Sequence, residues 1–223
     1  MLAYCPMGDF ADLLIRFFVL AVCLSFHEAA HAWSAFRLGD DTAARLGRLS
    51  LNPLVHLDPI GSLMILSGMP LGWAKPVPVN AGNLRNPRAA MPLVSFAGPL
   101  SNLILGLAAC VIFFLVDYRL SPGSGWWIML QMFITVNLSL AIFNLLPVAP
   151  LDGSSIITAF MSEETARRYE DKVARMGPYP ILLVVVFELL PGPGIIELWF
   201  RFWKPLFAPV LGLLNVPPGF LPY

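Results

Sequence analysis

Three residues within five positions, His27, Glu28 and His31, raise the first chemical question. They read His-Glu-Ala-Ala-His, the H-E-x-x-H pattern. On a helix, residues four apart share a face, so both imidazoles reach one ion while Glu28 sits beside them to handle a water. Such sites hold Zn²⁺ through three protein ligands and keep a position open for a water, whose pKa falls to about 7. The run "FFVLAVCLSF" lies just upstream. Uncompensated His and Glu at the end of an apolar helix are costly, which weighs against a chance match.

The third ligand has to come from elsewhere. The extended pattern with a third histidine fails, because Ser34 and Arg37 occupy its Gly and His positions. A nearby glutamate also fails, since none occurs between Glu28 and Glu163. His56, Asp40, Asp41, Asp58, Asp117 and Asp152 remain. Asp40 and Asp41 follow Gly39, beyond the expected helix end. Asp152, in "NLLPVAPLDGSS", is the only charged residue from 120 to 162. An isolated carboxylate there calls for a cation, with a turn aspartate before Gly153 as the alternative reading. His56, between Pro53 and Pro59, reads as a structural or ligand-orienting residue, with direct ligation as the alternative.

These residues need a scaffold, and composition names its solvent. The chain has 223 residues, 57% hydrophobic and 13% charged, with mean hydropathy +0.73. Soluble domains carry about a quarter charged residues. With 14 basic and 14 acidic residues the net charge is zero, which gives no electrostatic case for nucleic acid. The three cysteines, Cys5, Cys23 and Cys110, show no metal or disulfide spacing. The N-terminus lacks a basic n-region, so the first apolar helix is expected to stay in the mature protein.

A span needs roughly 20 apolar residues. Residues 10–36, 90–117 and 126–147 qualify, the last starting at the interfacial pair Trp126-Trp127. Leu57–Trp73 is apolar but short and broken by Pro59, Gly61, Gly68, Pro70 and Gly72. It is expected to be re-entrant, its backbone covered by protein. A re-entrant 57–73 puts the Lys/Arg-rich segments 37–88 and 152–178 on one side, as the positive-inside rule requires. That side also holds the HEAAH end of the first span and Asp152, and places Asp117 opposite. "SEETARRYEDKVARM" (162–176) is expected to be a cytoplasmic surface helix. A further span is expected at about 179–199, then an interfacial or hairpin segment anchored by Trp199, Arg201, Trp203 and Lys204. "TAARLGRLSLNP" (42–53) and "WAKPVPVNAG" (73–82) alternate like strands, the second limited to an edge by Pro76 and Pro78. The expected fold is therefore an all-α polytopic membrane protein, 1–223 as a single domain. It has a three-helix catalytic core (about 10–160) with a re-entrant segment and short β elements. One or two C-terminal membrane segments follow (about 177–223).

Together "HEAAH", "GWAKPVPVN", "SFAGPLSN" and "FNLLPVAPLDG" resemble the site-2 protease family of intramembrane zinc metalloproteases, over about residues 23–160. The similarity is to small prokaryotic members without a PDZ domain. The resemblance implies one Zn²⁺ bound by His27, His31 and Asp152, with Glu28 as general base. It also implies cleavage of a transmembrane protein substrate within or near its membrane segment, in the bilayer of a prokaryotic cell, with the site nearer the cytoplasm.

The chemistry also asks for an oxyanion donor, for which Asn144 is the candidate, its alternative being to satisfy carbonyls freed by Pro147. A substrate helix must unwind, and "KPVPVN" is suited to hold it by strand addition. Gly98 and Ser101 read as close-packing positions between helices, and Asn102 as a hydrogen-bonding one. Two rival classes stand beside the protease: a transporter or channel with a metal site, and an inactive metal-binding scaffold. The missing inverted repeat and the intact HEAAH and Asp152 argue against them.

Overall fold

The computed structural model describes residues 10–66, 73–116, 119–121, 123–188 and 190–213. Ten α-helices occur among them, and three are long and apolar enough to cross a membrane. The first, α1 (Phe10–Leu38), ends where Gly39 adopts a positive φ of 115°. The Asp40 amide then bonds back to Ala35 and the Gly39 amide to Phe36, a Schellman-type stop that a Cβ at 39 would strain. Short helical turns follow: α2 (Thr42–Arg45), α3 (Pro53–His56) and the eight-residue α4 (Pro59–Leu66).

The second apolar helix, α5 (Pro87–Val116), carries Pro92 and Pro99 inside it. The third, α6 (Gly125–Asn144), is capped by Ser124, whose hydroxyl accepts from the Trp127 amide. At 1.5 Å per residue the three are about 44, 45 and 30 Å long, enough for a hydrocarbon core of about 30 Å. Beyond α6, Pro147 cannot continue the helix, and a short loop leads to α7 (Asp152–Ile156).

The core forms where α5 and α6 touch. Ala109, Cys110 and Phe113 of α5 pack on Ile134, Leu138 and Ile142 of α6. Gly106 lets the backbones close, since a Cβ there would lie 2.8 Å from the Leu138 side chain. On the other side, Val19 and Cys23 of α1 pack on Val136 of α6. The many exposed apolar side chains on these helices, such as Phe18, Ile104 and Trp126, have a bilayer as their natural solvent.

The charged stretch forms α8 (Glu163–Met176), as its pattern requires. Ser162 caps it, Glu163 and Glu164 open it, and each pairs with the arginine four residues on.

Three expectations need correction. No strand occurs among the described residues, so the short β elements are absent; only an isolated antiparallel bridge joins Leu57 to Ala74. Residues 42–45 form α2 instead, 46–52 are irregular, and Pro53 opens α3 behind Asn52, whose side chain accepts from the Leu54 amide. Residues 75–80 are extended but form no ladder: Val77 and Asn80 donate to side chains, Lys75 to the His56 carbonyl, and Pro76 and Pro78 have no amide to give. A continuous span over 179–199 is also absent. The chain there forms α9 (Tyr179–Glu188) and α10 (Ile195–Leu213), broken by Pro191-Gly192-Pro193-Gly194 with Gly192 at a positive φ. Glu188 stabilises the break by accepting from the Ile196 amide at 2.6 Å. From there α10 runs along the bundle, placing Phe200 and Phe207 in the α5–α6 core and bonding Trp199 Nε1 to the Ile142 carbonyl at 2.7 Å. Part of the expected re-entrant segment, 67–72, and Asp117 lie outside the described residues.

Candidate metal centre

The HEAAH sequence occupies the second half of α1, where one face is buried against α5. His27 and His31 are buried one turn apart, their rings edge-to-face with centroids 4.6 Å apart. Each points its Nε2 to a common spot, the two atoms 3.0 Å from each other. Asp152 closes the third side, with Oδ2 3.1 Å from His27 Nε2 and Oδ1 3.3 Å from His31 Nε2.

Asp152 reaches that spot through its neighbours. Pro147 ends α6, and the loop turns back under it through bonds from the Val148 amide to Leu146 and the Leu151 amide to Val148. Gly153 is required by this return, because a Cβ on it would strike the Leu145 and Leu146 carbonyls. Gly98 of α5 fills a similar need beneath the histidines: a Cβ on it would fall against His31 Nε2 and lie 2.6 Å from His27 Cε1. The sequence reads Gly98 as a helix-packing residue, and here the packing partners are the imidazoles themselves.

The donor set suits a metal ion. His31 Nδ1 lies 2.7 Å from the Val94 carbonyl, which can only accept, so the proton of a neutral His31 sits on Nδ1 and its Nε2 presents a lone pair. His27 Nδ1 lies 2.7 Å from Asn102 Oδ1. Buried Asp152 Oδ2 has no hydrogen-bond donor although His27 Nε2 is beside it. Two nitrogens and a carboxylate oxygen thus face each other without a proton between them, an arrangement a cation would neutralise. An aspartate is ionised at neutral pH at its ordinary pKa of about 3.9, as a ligand must be. Among the described residues this is the one trio of His, Cys, Asp or Glu so placed, its donor atoms all within 4.8 Å.

The other ligand candidates have work elsewhere. His56 is buried with Nε2 2.7 Å from the Ser50 carbonyl. Asp41 pairs with Arg45. Asp58 accepts from the amides of Ile60 and Gly61 at the start of α4. Asp40, fully buried, accepts from the amides of Thr42 and Asn80 and from Asn83 Nδ2.

Glu28 is buried beside the trio, and its Oε2 accepts from the Val77 amide at 2.7 Å. That amide belongs to the extended 75–80 segment, held further by Lys75 N to the His56 carbonyl and Arg48 Nη2 to the Lys75 carbonyl. Asn144 donates to the Leu140 carbonyl of its own helix at 3.0 Å, not to a carbonyl freed by Pro147. The sequence holds no sign of the Val94 carbonyl, which is backbone. The Val77 amide left a faint one: between two prolines, it is the one donor over 76–78.

Comparison with known proteins points to zinc metalloprotease chemistry. The model of "Peptidase family M50" matches residues 119–187. YwhC of Bacillus subtilis, named as a candidate zinc metalloprotease, is 46% identical over 162 residues, covering 69% of this chain and 71% of its own length. Rip2 of Mycolicibacterium smegmatis, similarly named, is 28% identical over 201 residues, covering 84% and 70%. The zinc metalloprotease MJ0392 of Methanocaldococcus jannaschii is 25% identical over 177 residues, covering 79% of this chain and 43% of its own length. No solved structure gives a significant match.

Proposed function

The chain belongs to peptidase family M50 and is a zinc metalloprotease, and we propose that it cuts membrane proteins within or near their transmembrane segments. The observation that carries this reading is the convergence of His27 Nε2, His31 Nε2 and the Asp152 carboxylate among helices apolar enough to span a bilayer.

In this reading His27, His31 and Asp152 hold zinc. Bound there, the ion supplies a Lewis acid that polarises a carbonyl and makes a water acidic enough to attack it near neutral pH. Glu28 takes the water's proton and passes it to the leaving amine. The Val77 amide holds one Glu28 oxygen, leaving the other to carry that proton. Asn144 keeps a second amide hydrogen beyond the one given to Leu140, and that hydrogen is the candidate donor to the developing oxyanion. A substrate helix hides its amides, so it must unwind before cleavage. The extended 75–80 segment, adjacent to Glu28, is the element suited to hold the unwound stretch, through its remaining carbonyls, because its Lys75, Val77 and Asn80 amides are already bonded within the protein.

We place the catalytic core at 10–160, with α1, α5 and α6 crossing the bilayer of a prokaryotic cell. The HEAAH end and α7 face the cytoplasmic half. The bridge from Leu57 to Ala74 supports a segment that enters and leaves on one side, since both ends meet.

The test is zinc content together with cleavage of a transmembrane peptide in liposomes. Wild type is expected to hold one zinc and cut; Glu28→Gln is expected to hold zinc and not cut. Wild type without zinc, or cleavage that survives Glu28→Gln, overturns the proposal.

A further inference from the structure

Between α1, α5 and α6, behind the histidines, lie two asparagines with no solvent contact at all, Asn102 and Asn137. Buried amides at membrane depth need a reason, and their hydrogen bonds supply one. Asn137 Nδ2 lies 2.9 Å from the Phe133 carbonyl and 3.1 Å from Cys23 Sγ. Asn102 Nδ2 lies 3.1 Å from the Cys23 carbonyl and 2.8 Å from Asn137 Oδ1. Backbone carbonyls only accept, so each amide must turn its NH₂ toward its carbonyl. Flipping either one would set oxygen against oxygen in a dry interior. The orientation of both side chains is therefore dictated by two carbonyls on two different helices.

One consequence reaches the metal centre. With its NH₂ committed, Asn102 presents Oδ1 to His27 Nδ1 at 2.7 Å, and an oxygen there requires a proton on Nδ1. We propose that Asn137 and Asn102 form a two-amide relay that fixes His27 as the Nδ1–H tautomer, so that Nε2 is always free to bind the metal. Asn102 and Asn137 are positioning residues in this scheme, acting through His27. The relay also divides the labour between the two histidines: a backbone carbonyl sets His31, and side chains from two spans set His27. The inference rests on reading His27 as a zinc ligand, and it adds what holds that ligand ready before zinc arrives.

The chain has three histidines, so ¹⁵N-histidine labelling of the full-length protein resolves each tautomer in the zinc-free state. Wild-type His27 is expected as Nδ1–H; finding Nε2–H overturns the proposal whatever the variants do. Asn137→Leu removes one of the two acceptors that hold the Asn102 NH₂ and leaves only the Cys23 carbonyl, so His27 is expected to gain a detectable Nε2–H population while His31 keeps its proton on Nδ1. Asn137→Asp, protonated at this depth, donates to the Phe133 carbonyl and still offers Asn102 an acceptor, so it is expected to restore the wild-type tautomer, which a merely space-filling role would not predict. Asn102→Leu is expected to weaken zinc binding, titrated with zinc alone against a chelator, by about 10- to 100-fold. An unchanged His27 in both leucine variants, or Asn137→Asp behaving like Asn137→Leu, overturns the relay. Wild type that fails to bind zinc while showing the expected tautomers would instead overturn the metal reading.

Discussion

The two histidines and the glutamate of HEAAH are neighbours in sequence but are held by different kinds of structure. His27 and His31 are oriented by Asn102 and the Val94 carbonyl, both on α5, a helix packed on two others. Glu28 is oriented by the amide of Val77, in an extended segment tied down by separate hydrogen bonds to His56, Arg48 and Asp40. A packed helix moves as a body, whereas a segment held by a few bonds loosens locally. In the proposed mechanism metal binding and proton transfer therefore rest on separable supports, and substitutions should affect one without the other.

The hardest test of that separation is Gly98→Ala. A Cβ at 98 collides with both imidazoles, and α5 has no freedom to withdraw because Gly106 and Ala109 hold it on α6. Zinc content and cleavage are expected to vanish together, while circular dichroism stays helical. Full zinc occupancy in Gly98→Ala would break the claim that α5 sets the metal half. Glu28→Gln comes next in size. Removing a general base costs about 10²- to 10⁴-fold in rate, and zinc measured by atomic emission is expected unchanged.

Val77→Pro probes the weaker support. Val77 precedes a proline and already favours extended backbone, so a third consecutive proline keeps the shape and deletes only the amide hydrogen. A hydrogen bond to a charged group contributes about 1.5–3 kcal/mol, so cleavage should slow by about ten- to a hundredfold with zinc retained. Zinc lost from Val77→Pro would show that the two supports are one.

This difference in support also sorts what could be read from the sequence. The three long apolar helices, α8 and the clustering of His27, His31 and Asp152 were legible because each has a side-chain signature: unbroken apolar runs, a capped charged helix, an H-E-x-x-H motif and a lone Asp in an uncharged stretch. Asp40, Asp41, Asp58 and His56 stood as rival ligands because spacing alone does not reveal the amides and carbonyls that occupy them. The strand-like alternation at 42–53 misled, since in a short loop a capping Asn52 before Pro53 outweighs a period-two pattern that finds no partner strand. The span expected at 179–199 failed at Pro191–Gly194, where hydropathy outvoted four consecutive helix breakers. The Val94 carbonyl was invisible, as any backbone ligand-orienting group is.

The smallest expected effect concerns the far anchor of the extended segment. Burial alone would raise the Asp40 carboxyl, but donors from Thr42, Asn83 and the Asn80 amide outweigh it and hold it below its ordinary value. A carboxylate depressed in this way stabilises the fold at every pH above its unfolded value of about 3.9, and that contribution disappears as pH falls through the lower folded value. Hydrogen exchange at the Asn80 amide should thus be slow from pH 7 to 5, once corrected for intrinsic rates, and should quicken below about pH 4. In Asp40→Asn the side chain keeps one acceptor oxygen where two are used, so Asn80 should exchange faster throughout, with zinc unaffected. Protection of Asn80 that is indifferent to both pH and Asp40→Asn would mean the segment is held from the Glu28 end alone. The support beneath Glu28 would then narrow to the Val77 amide and its immediate neighbours.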